Sequence, residues 1–311
     1  MGRVWSCSGL RWSADGPVLM WGGGKGSALA RGMRVAFAVA DGAVRTCVGA
    51  RGYACPVRAA VPGRSTGGRC EECARLERAH SVAADTLADD PRPYHVYLAW
   101  FGPGMVKVGI TGVGRGSARL LEQGAVTFSW LGRGPLMAAR RAEELLRAAL
   151  RVPDRIPYAE KRAVRAVLAG GGTETDADAE TEGVAELAGL HELAGRLDAW
   201  PESLERLPFR PVDHTGVFGL AGLPPAAGVV GELVAGGALG GELLAAAGPD
   251  LHLATGRGVV VLDTRLMPGW ELTATDASGA GSGGGGDGGA SGFPLRELKA
   301  AGRPSVQDGL F

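Results

Sequence analysis

Between residues 94 and 168 the apolar positions run in two different periods. Tyr94-His-Val-Tyr-Leu-Ala-Trp-Phe101 is a short apolar run bounded by the turn sequence FGPGM, and Val106-Lys-Val-Gly-Ile110 follows it. Together they predict a β-hairpin. Ser117–Gln123 suits a short helix. Leu136, Ala139, Ala142, Leu146, Ala149 and Leu150 recur at helical spacing, which predicts a longer helix over 135–150, and 158–168 reads as another. On either side the pattern becomes short and strand-like. Val18–Trp21 and Met33–Val39 are brief runs separated by GGGKGS; Val229–Val234, Leu251–Ala254, Val259–Leu262 and Trp270–Thr275 are brief runs beyond Phe209.

Two stretches carry no such period. GGGTETDADAETEG (170–183) reads as an acidic linker, although helical periodicity resumes over Val184–Leu197. GAGSGGGGDGGASG (279–292) reads as a flexible surface insertion. The expected architecture is α+β. It has a β-rich N-terminal region (1–90), a central α/β domain (91–169), the linker (170–183), and a helix plus a small β-rich C-terminal region (184–311).

Residues 46–80 contain little apolar surface and four of the five cysteines, so this segment needs a staple rather than a core. Cys47-x7-Cys55-x14-Cys70-x2-Cys73 supplies one. In a C-x2-C knuckle two thiolates turn onto one ion, and a second pair completes a tetrahedral site, which predicts structural Zn²⁺. The x7 gap is less specific, and His80 is an alternative ligand to Cys47 or Cys55. A redox pair at Cys70 and Cys73 is the rival reading; no βαβ pattern surrounds it. Cys7 is left over, as an ordinary buried thiol.

The chain has 311 residues with 33 basic and 33 acidic side chains, a formal charge of zero. That zero is composite, because residues 1–170 hold 25 Lys and Arg against 13 Asp and Glu, and the remainder is correspondingly acidic. A basic front half predicts a polyanion partner, nucleic acid above all. Arginine outnumbers lysine 29 to 4, isoleucine occurs twice and asparagine never, a bias typical of a GC-rich bacterial genome. No asparagine ligand or catalyst is available anywhere. The N-terminal residues lack an export signal, and the most apolar stretch, Leu220–Gly248, is broken by prolines, glutamates and glycines, so a cytoplasmic protein without a membrane span is expected.

The hairpin and the helices after it carry a resemblance. HVY, KVGIT, an arginine and then a glutamate on the next long helix resemble the GIY-YIG nuclease superfamily. On that resemblance Tyr97 falls on the first motif's tyrosine, and Gly109 on the second motif's glycine. Lys107 stands where the second motif usually has tyrosine. Arg119 matches the helical arginine, with Arg115 as the alternative, and Glu143 matches the metal-binding glutamate, with Glu144 beside it. The asparagine found in many active members is missing. HVYLA, KVGIT, EQGA, RRAEEL and the cysteine knuckle together resemble, over nearly the whole chain, a bacterial family catalogued as domain of unknown function 2797. That resemblance implies no activity.

The chemistry of these residues can be read independently. Tyr97 orients or deprotonates water only if its pKa falls well below the usual ~10, and a nearby Lys107 cation would favour that. Arg119 offers a fork of donors suited to phosphate. Glu143 supplies a hard oxygen ligand for Mg²⁺ or Mn²⁺. Each also has a plainer use: Tyr97 as core, Lys107 as a solvated strand residue, Arg119 paired with Glu122, and Glu143 paired with Arg140 or Arg147. Three functions are therefore expected to compete. They are a nucleic-acid-binding module, a metal-dependent nuclease, and a zinc-stabilised scaffold for protein partners. The Lys107 replacement and the absent asparagine place binding ahead of cleavage.

Overall fold

A computed structural model describes residues 4–13, 15–79, 90–169, 173–275 and 291–298. These residues form an α+β protein with six α-helices and two sheets. The chain divides into two compact units, one built from Met1–Leu87 with Ala226–Leu298 and the other from Ala88–Pro225.

In the first unit the two ends of the sequence share one sheet. Arg34–Val39 pairs antiparallel with Gly237–Ala247 on one side and with Glu271–Thr273 on the other, and Val4–Ser13 continues beyond Glu271–Thr273. Asp250–Thr255, Gly258–Asp263 and Ala226–Val230 extend the sheet in the opposite direction. The N-terminal and C-terminal regions expected as separate bodies are thus halves of one. Three pairings join the halves, and each closes a ladder that would otherwise be an open edge.

This regrouping dissolves the charge asymmetry. The stretches that make the first unit hold 15 basic and 14 acidic residues, and those of the second hold 16 and 18. Bulk charge therefore no longer points to a polyanion. Any such argument must rest on local patches.

Gly237–Ala247 is the longest strand of its sheet and lay unrecognised within the apolar, glycine-rich stretch. Gly241 explains the composition: a Cβ there would stand 2.5 Å from the carbonyl oxygen of Ala254 on the paired strand. Of the expected insertion, residues 279–290 lie outside the described residues, while Ser291–Gly292 pairs in parallel with Gly237–Ala247.

The second unit is built around Pro93–Trp100, which lies between Val106–Gly112 and Thr127–Pro135, all antiparallel. Two-residue strands at Glu205–Arg206 and Val212–Asp213 add to the far side of Thr127–Pro135. The predicted hairpin forms with Tyr97 opposite Gly109 and Ala99 opposite Lys107. Antiparallel partners share a face, so Tyr97 and Lys107 lie on the same one. Tyr97, Ala99 and Phe101 pack there with Leu120, Ala125 and Phe128. Leu136–Leu150 forms the long predicted helix and packs on all three central strands.

The acidic stretch expected as a linker is largely helix, since Thr173–Gly195 is continuous. Gly183 is a packing glycine here, for an added Cβ would lie 2.9 Å from the Trp100 ring. Glu186, one turn on, accepts a hydrogen bond from Trp100 Nε1 at 2.8 Å, and Leu187 and Ala194 are buried. Composition suggested a spacer because it does not reveal which face of a helix is covered. Among the described residues, no helix is long and apolar enough to cross a membrane.

Candidate functional site

In the first unit the four cysteines converge. Cys47 and Cys55 sit in turns joined by the Thr46–Ala60 bridge, Cys70 immediately precedes the helix Glu71–Ala79, and Cys73 lies in that helix's first turn. Their sulfurs all lie within 4.8 Å of one another. Gly49 makes the turn after Cys47 feasible. Its φ is +82°, and a Cβ would stand 1.9 Å from the Tyr53 carbonyl oxygen. The Cys47 sulfur accepts backbone N–H bonds from Cys70 at 3.2 Å and Gly49 at 3.4 Å.

The thiols also share charge unevenly. Backbone N–H groups, that of Ala59 foremost, pull Cys55 down to about 7, whereas burial among the other three pushes Cys73 up to about 12. Sulfurs about 2.3 Å from one ion would be about 3.8 Å apart, so this cluster can close on a metal with small adjustments. The donor set and spacing fit a tetrahedral ion. His80 lies outside the described residues. Cys7 stays apart as expected, buried and pushed up to about 11 by that burial.

Arg45 ties this loop to its own unit. It is 1% exposed, and its guanidinium donates to the carbonyls of Ser65 (2.6 Å), Pro62 (2.8 Å), Pro268 (2.9 Å) and Arg265 (3.2 Å). The sequence offers no pattern that marks it out from the other arginines.

In the second unit the four residues singled out on the hairpin and helices come together. Lys107 Nζ lies 5.8 Å from the centre of the Tyr97 ring. The charges of Arg119 and Glu143 act on both Tyr97 and Lys107. Burial sets the protonation of all three titrating groups. It raises the Tyr97 phenol above its ordinary value, lowers Lys107 to about 8, and raises Glu143 despite the opposing pull of Lys107. Lys107 is therefore no solvated strand residue. It is buried and donates to the Asp154 carbonyl at 2.9 Å.

The structure also separates the alternatives. Arg115 bonds to Glu122 at 2.6 Å, while Arg119 is 3.7 Å from the same carboxylate and is the arginine whose charge reaches Tyr97 and Lys107. Glu144 pairs with Arg147 on the exposed side of the helix, which leaves Glu143 as the carboxylate facing Lys107. Tyr97 is 2% exposed with a raised pKa, so it is not poised as a phenolate.

Two participants went unassigned in the sequence. Gln123 Nε2 donates to Tyr97 Oη at 2.9 Å, and the segment around Asp154 runs beside the second hairpin strand, where Val108 N–H donates to the Pro153 carbonyl at 3.0 Å. Gln123 stood within the recognised EQGA string without a role; nothing in the sequence marked Asp154.

A family model described as a protein of unknown function (DUF2797) matches residues 35–272, in agreement with the resemblance carried by the HVYLA, KVGIT and cysteine-knuckle strings. No curated protein and no solved structure matches the chain.

Proposed function

The chain belongs to the DUF2797 family, a description that carries no activity, and we propose from its own side chains that it is a zinc-stapled protein whose second unit binds the phosphates of nucleic acid at a GIY-YIG-like site. The observation that carries this reading is the approach of Lys107 to the Tyr97 ring on one hairpin, with Arg119 and Glu143 on the two following helices near enough for their charges to act on both. Arg119, about half exposed, is the outer donor for a phosphate oxygen. Lys107, behind it, supplies a fixed positive charge below about pH 8. Tyr97, held neutral and fixed by Gln123, positions rather than deprotonates. In the first unit Cys47, Cys55, Cys70 and Cys73 hold the zinc, which gives that loop folding energy and leaves no open coordination position.

A second reading, metal-dependent cleavage, is favoured by Glu143 alone. It is a partly buried carboxylate beside the phosphate site, of the type that ligates Mg²⁺ or Mn²⁺. One set of measurements separates the readings: labelled single- and double-stranded DNA and RNA, with and without these ions, on wild type, Glu143→Ala, Tyr97→Phe and Arg119→Ala. Salt-sensitive binding that Arg119→Ala weakens, without turnover, is the expected result. Cleavage lost in Glu143→Ala would establish the enzyme instead. Absence of binding to every nucleic acid at low salt rejects both and favours the scaffold. A zinc-to-protein ratio well below one in freshly purified protein rejects the zinc assignment.

A further inference from the structure

The four-cysteine loop shows a side to solvent that metal binding does not explain. Tyr53 is 79% exposed, the largest value among the big apolar side chains described, and Val57 is 75% exposed. Between Gly42 and Cys70 the sequence carries five arginines and no acidic residue. Arg45 is buried inside the unit and Arg69 pairs with Glu77 at 3.5 Å; Arg51, Arg58 and Arg64 are exposed.

The backbone holds these side chains out at some cost. Ala50 and Tyr53 exchange both backbone hydrogen bonds, 3.0 and 2.9 Å, across a two-residue turn of Arg51 (φ 53°) and Gly52 (φ 82°). A turn with both central residues left-handed prefers Asn-Gly, and arginine at its first position is disfavoured. Arg58 is left-handed as well, at φ 43°. The three non-glycine residues with positive φ among those described are all arginines, these two and Arg151.

We propose that Arg51, Tyr53, Arg58 and Arg64 on the four-cysteine loop form a binding face for single-stranded nucleic acid, with Tyr53 as the base-stacking ring. The inference takes its class of ligand from the proposed function but stands on different residues in the other unit. An exposed aromatic on a tight turn stacks on a splayed base, and nearby arginines track the backbone phosphates. Four thiolates with one Zn²⁺ sum to −2 and Glu77 adds one negative charge, so the five arginines between Gly42 and Cys70 keep a surplus of about +2. A duplex keeps its bases stacked away from such a ring. The acidic side chain at this turn, Glu77, is already engaged, accepting from the Arg51 backbone N–H at 2.9 Å and pairing with Arg69 at 3.5 Å, which disfavours a basic peptide.

The test uses the zinc-loaded full chain and fluorescence anisotropy of labelled oligothymidine and oligouridine, about 12 nucleotides long, against a duplex of the same length. Tyr53→Ala is expected to weaken single-strand binding about tenfold, with Tyr53→Phe close to wild type. Arg58→Gly keeps the left-handed backbone and removes one charge, which should lower the slope of log affinity against log salt by about 0.7. A metal content of one ion per chain in each variant certifies the fold. Single-strand affinity unchanged in Tyr53→Ala and Arg58→Gly overturns the proposal, as does equal affinity for the duplex. Absence of any oligonucleotide binding also overturns it and leaves this face to a protein partner. Loss in Arg119→Ala with Tyr53→Ala unaffected sinks this face and spares the second unit's site; the reverse pattern does the opposite.

Discussion

Gly109 lies against the ring of Tyr97 across the hairpin, so that a Cβ on Gly109 would stand 2.4 Å from Tyr97 Oη and 2.5 Å from Cζ. The glycine is what lets the phenol lie over the neighbouring strand and reach Gln123. Gly109→Ala should therefore displace the ring, break the hydrogen bond to Gln123 and destabilise the chain by about 1–3 kcal/mol. Because the closest contact is to the hydroxyl oxygen, Tyr97→Phe should relieve part of that cost. Urea unfolding of the two single variants and the double variant measures this, and strictly additive effects would refute the contact.

Lys107 gives a pH prediction with a definite sign. Its ordinary pKa of 10.5 falls to about 8 in the folded protein because burial penalises the cation. Below about pH 8 both folded and unfolded chains carry the proton, and the folded state bears the full cost of burying it. Between about 8 and 10.5 the unfolded chain holds the proton more tightly, so stability rises with pH across that window. Lys107→Met should consequently be more stable than wild type at pH 7. The burial cost is about 3 kcal/mol, offset by about 1 kcal/mol for the donor lost from the Asp154 carbonyl. The gain should vanish by about pH 10.5, while phosphate affinity falls at neutral pH. Denaturant unfolding at both pH values checks it; an equal difference at the two would contradict the buried cation.

Recognition in the sequence followed the periods that burial leaves intact. The helix Leu136–Leu150 buries a regular set of positions and announced itself by its period, whereas the hairpin strands are buried on both faces and were legible as continuous apolar runs on either side of FGPGM. Thr127–Pro135 is likewise buried on both faces through Gly132, which erases alternation, but glycines interrupt its apolar run. Its glycines look like breakers, yet Gly132 and Gly134 are there to admit Leu204, which an added Cβ would approach to 2.8 and 3.0 Å. The cysteine cluster was legible because metal chemistry fixes residue type and spacing together. In the second unit's candidate site, Tyr97, Lys107, Arg119 and Glu143 are positions the sequence had singled out. Asp154 was not, since it contributes a backbone carbonyl, which every residue possesses.

Arg45 should prove the costliest single side chain to remove from the first unit. A buried guanidinium that satisfies four carbonyls leaves four unpaired acceptors when it is truncated, beside the cost of the cavity. Arg45→Ala is expected to lose at least about 3 kcal/mol. Arg45→Lys should recover little, because one ammonium cannot reach the same set of carbonyls. Burial already lowers Arg45 to about 10, so the charge is costly to keep and its hydrogen bonds must supply the return. Thermal unfolding of the two variants decides the point: a lysine variant with wild-type stability would show that charge, not the forked geometry, is what the loop requires.

Gly49 and the metal should behave as one element. At φ +82° any side chain is strained, and a Cβ 1.9 Å from the Tyr53 carbonyl cannot be accommodated without opening the turn between Cys47 and Cys55. Opening that turn moves Cys47, whose sulfur also anchors the start of the helix Glu71–Ala79 through the Cys70 N–H. Gly49→Ala should therefore lower bound zinc well below one ion per chain and reduce Tm by several degrees. Chelator added to wild type should reproduce the same loss, and chelator added to Gly49→Ala should do almost nothing further. Since metal binding requires deprotonated thiols, acid should release the ion from wild type before the rest of the chain unfolds. Zinc content and Tm, measured with and without chelator across pH, test the coupling. A Gly49→Ala protein that keeps its full complement of metal would show that the turn and the ion are independent.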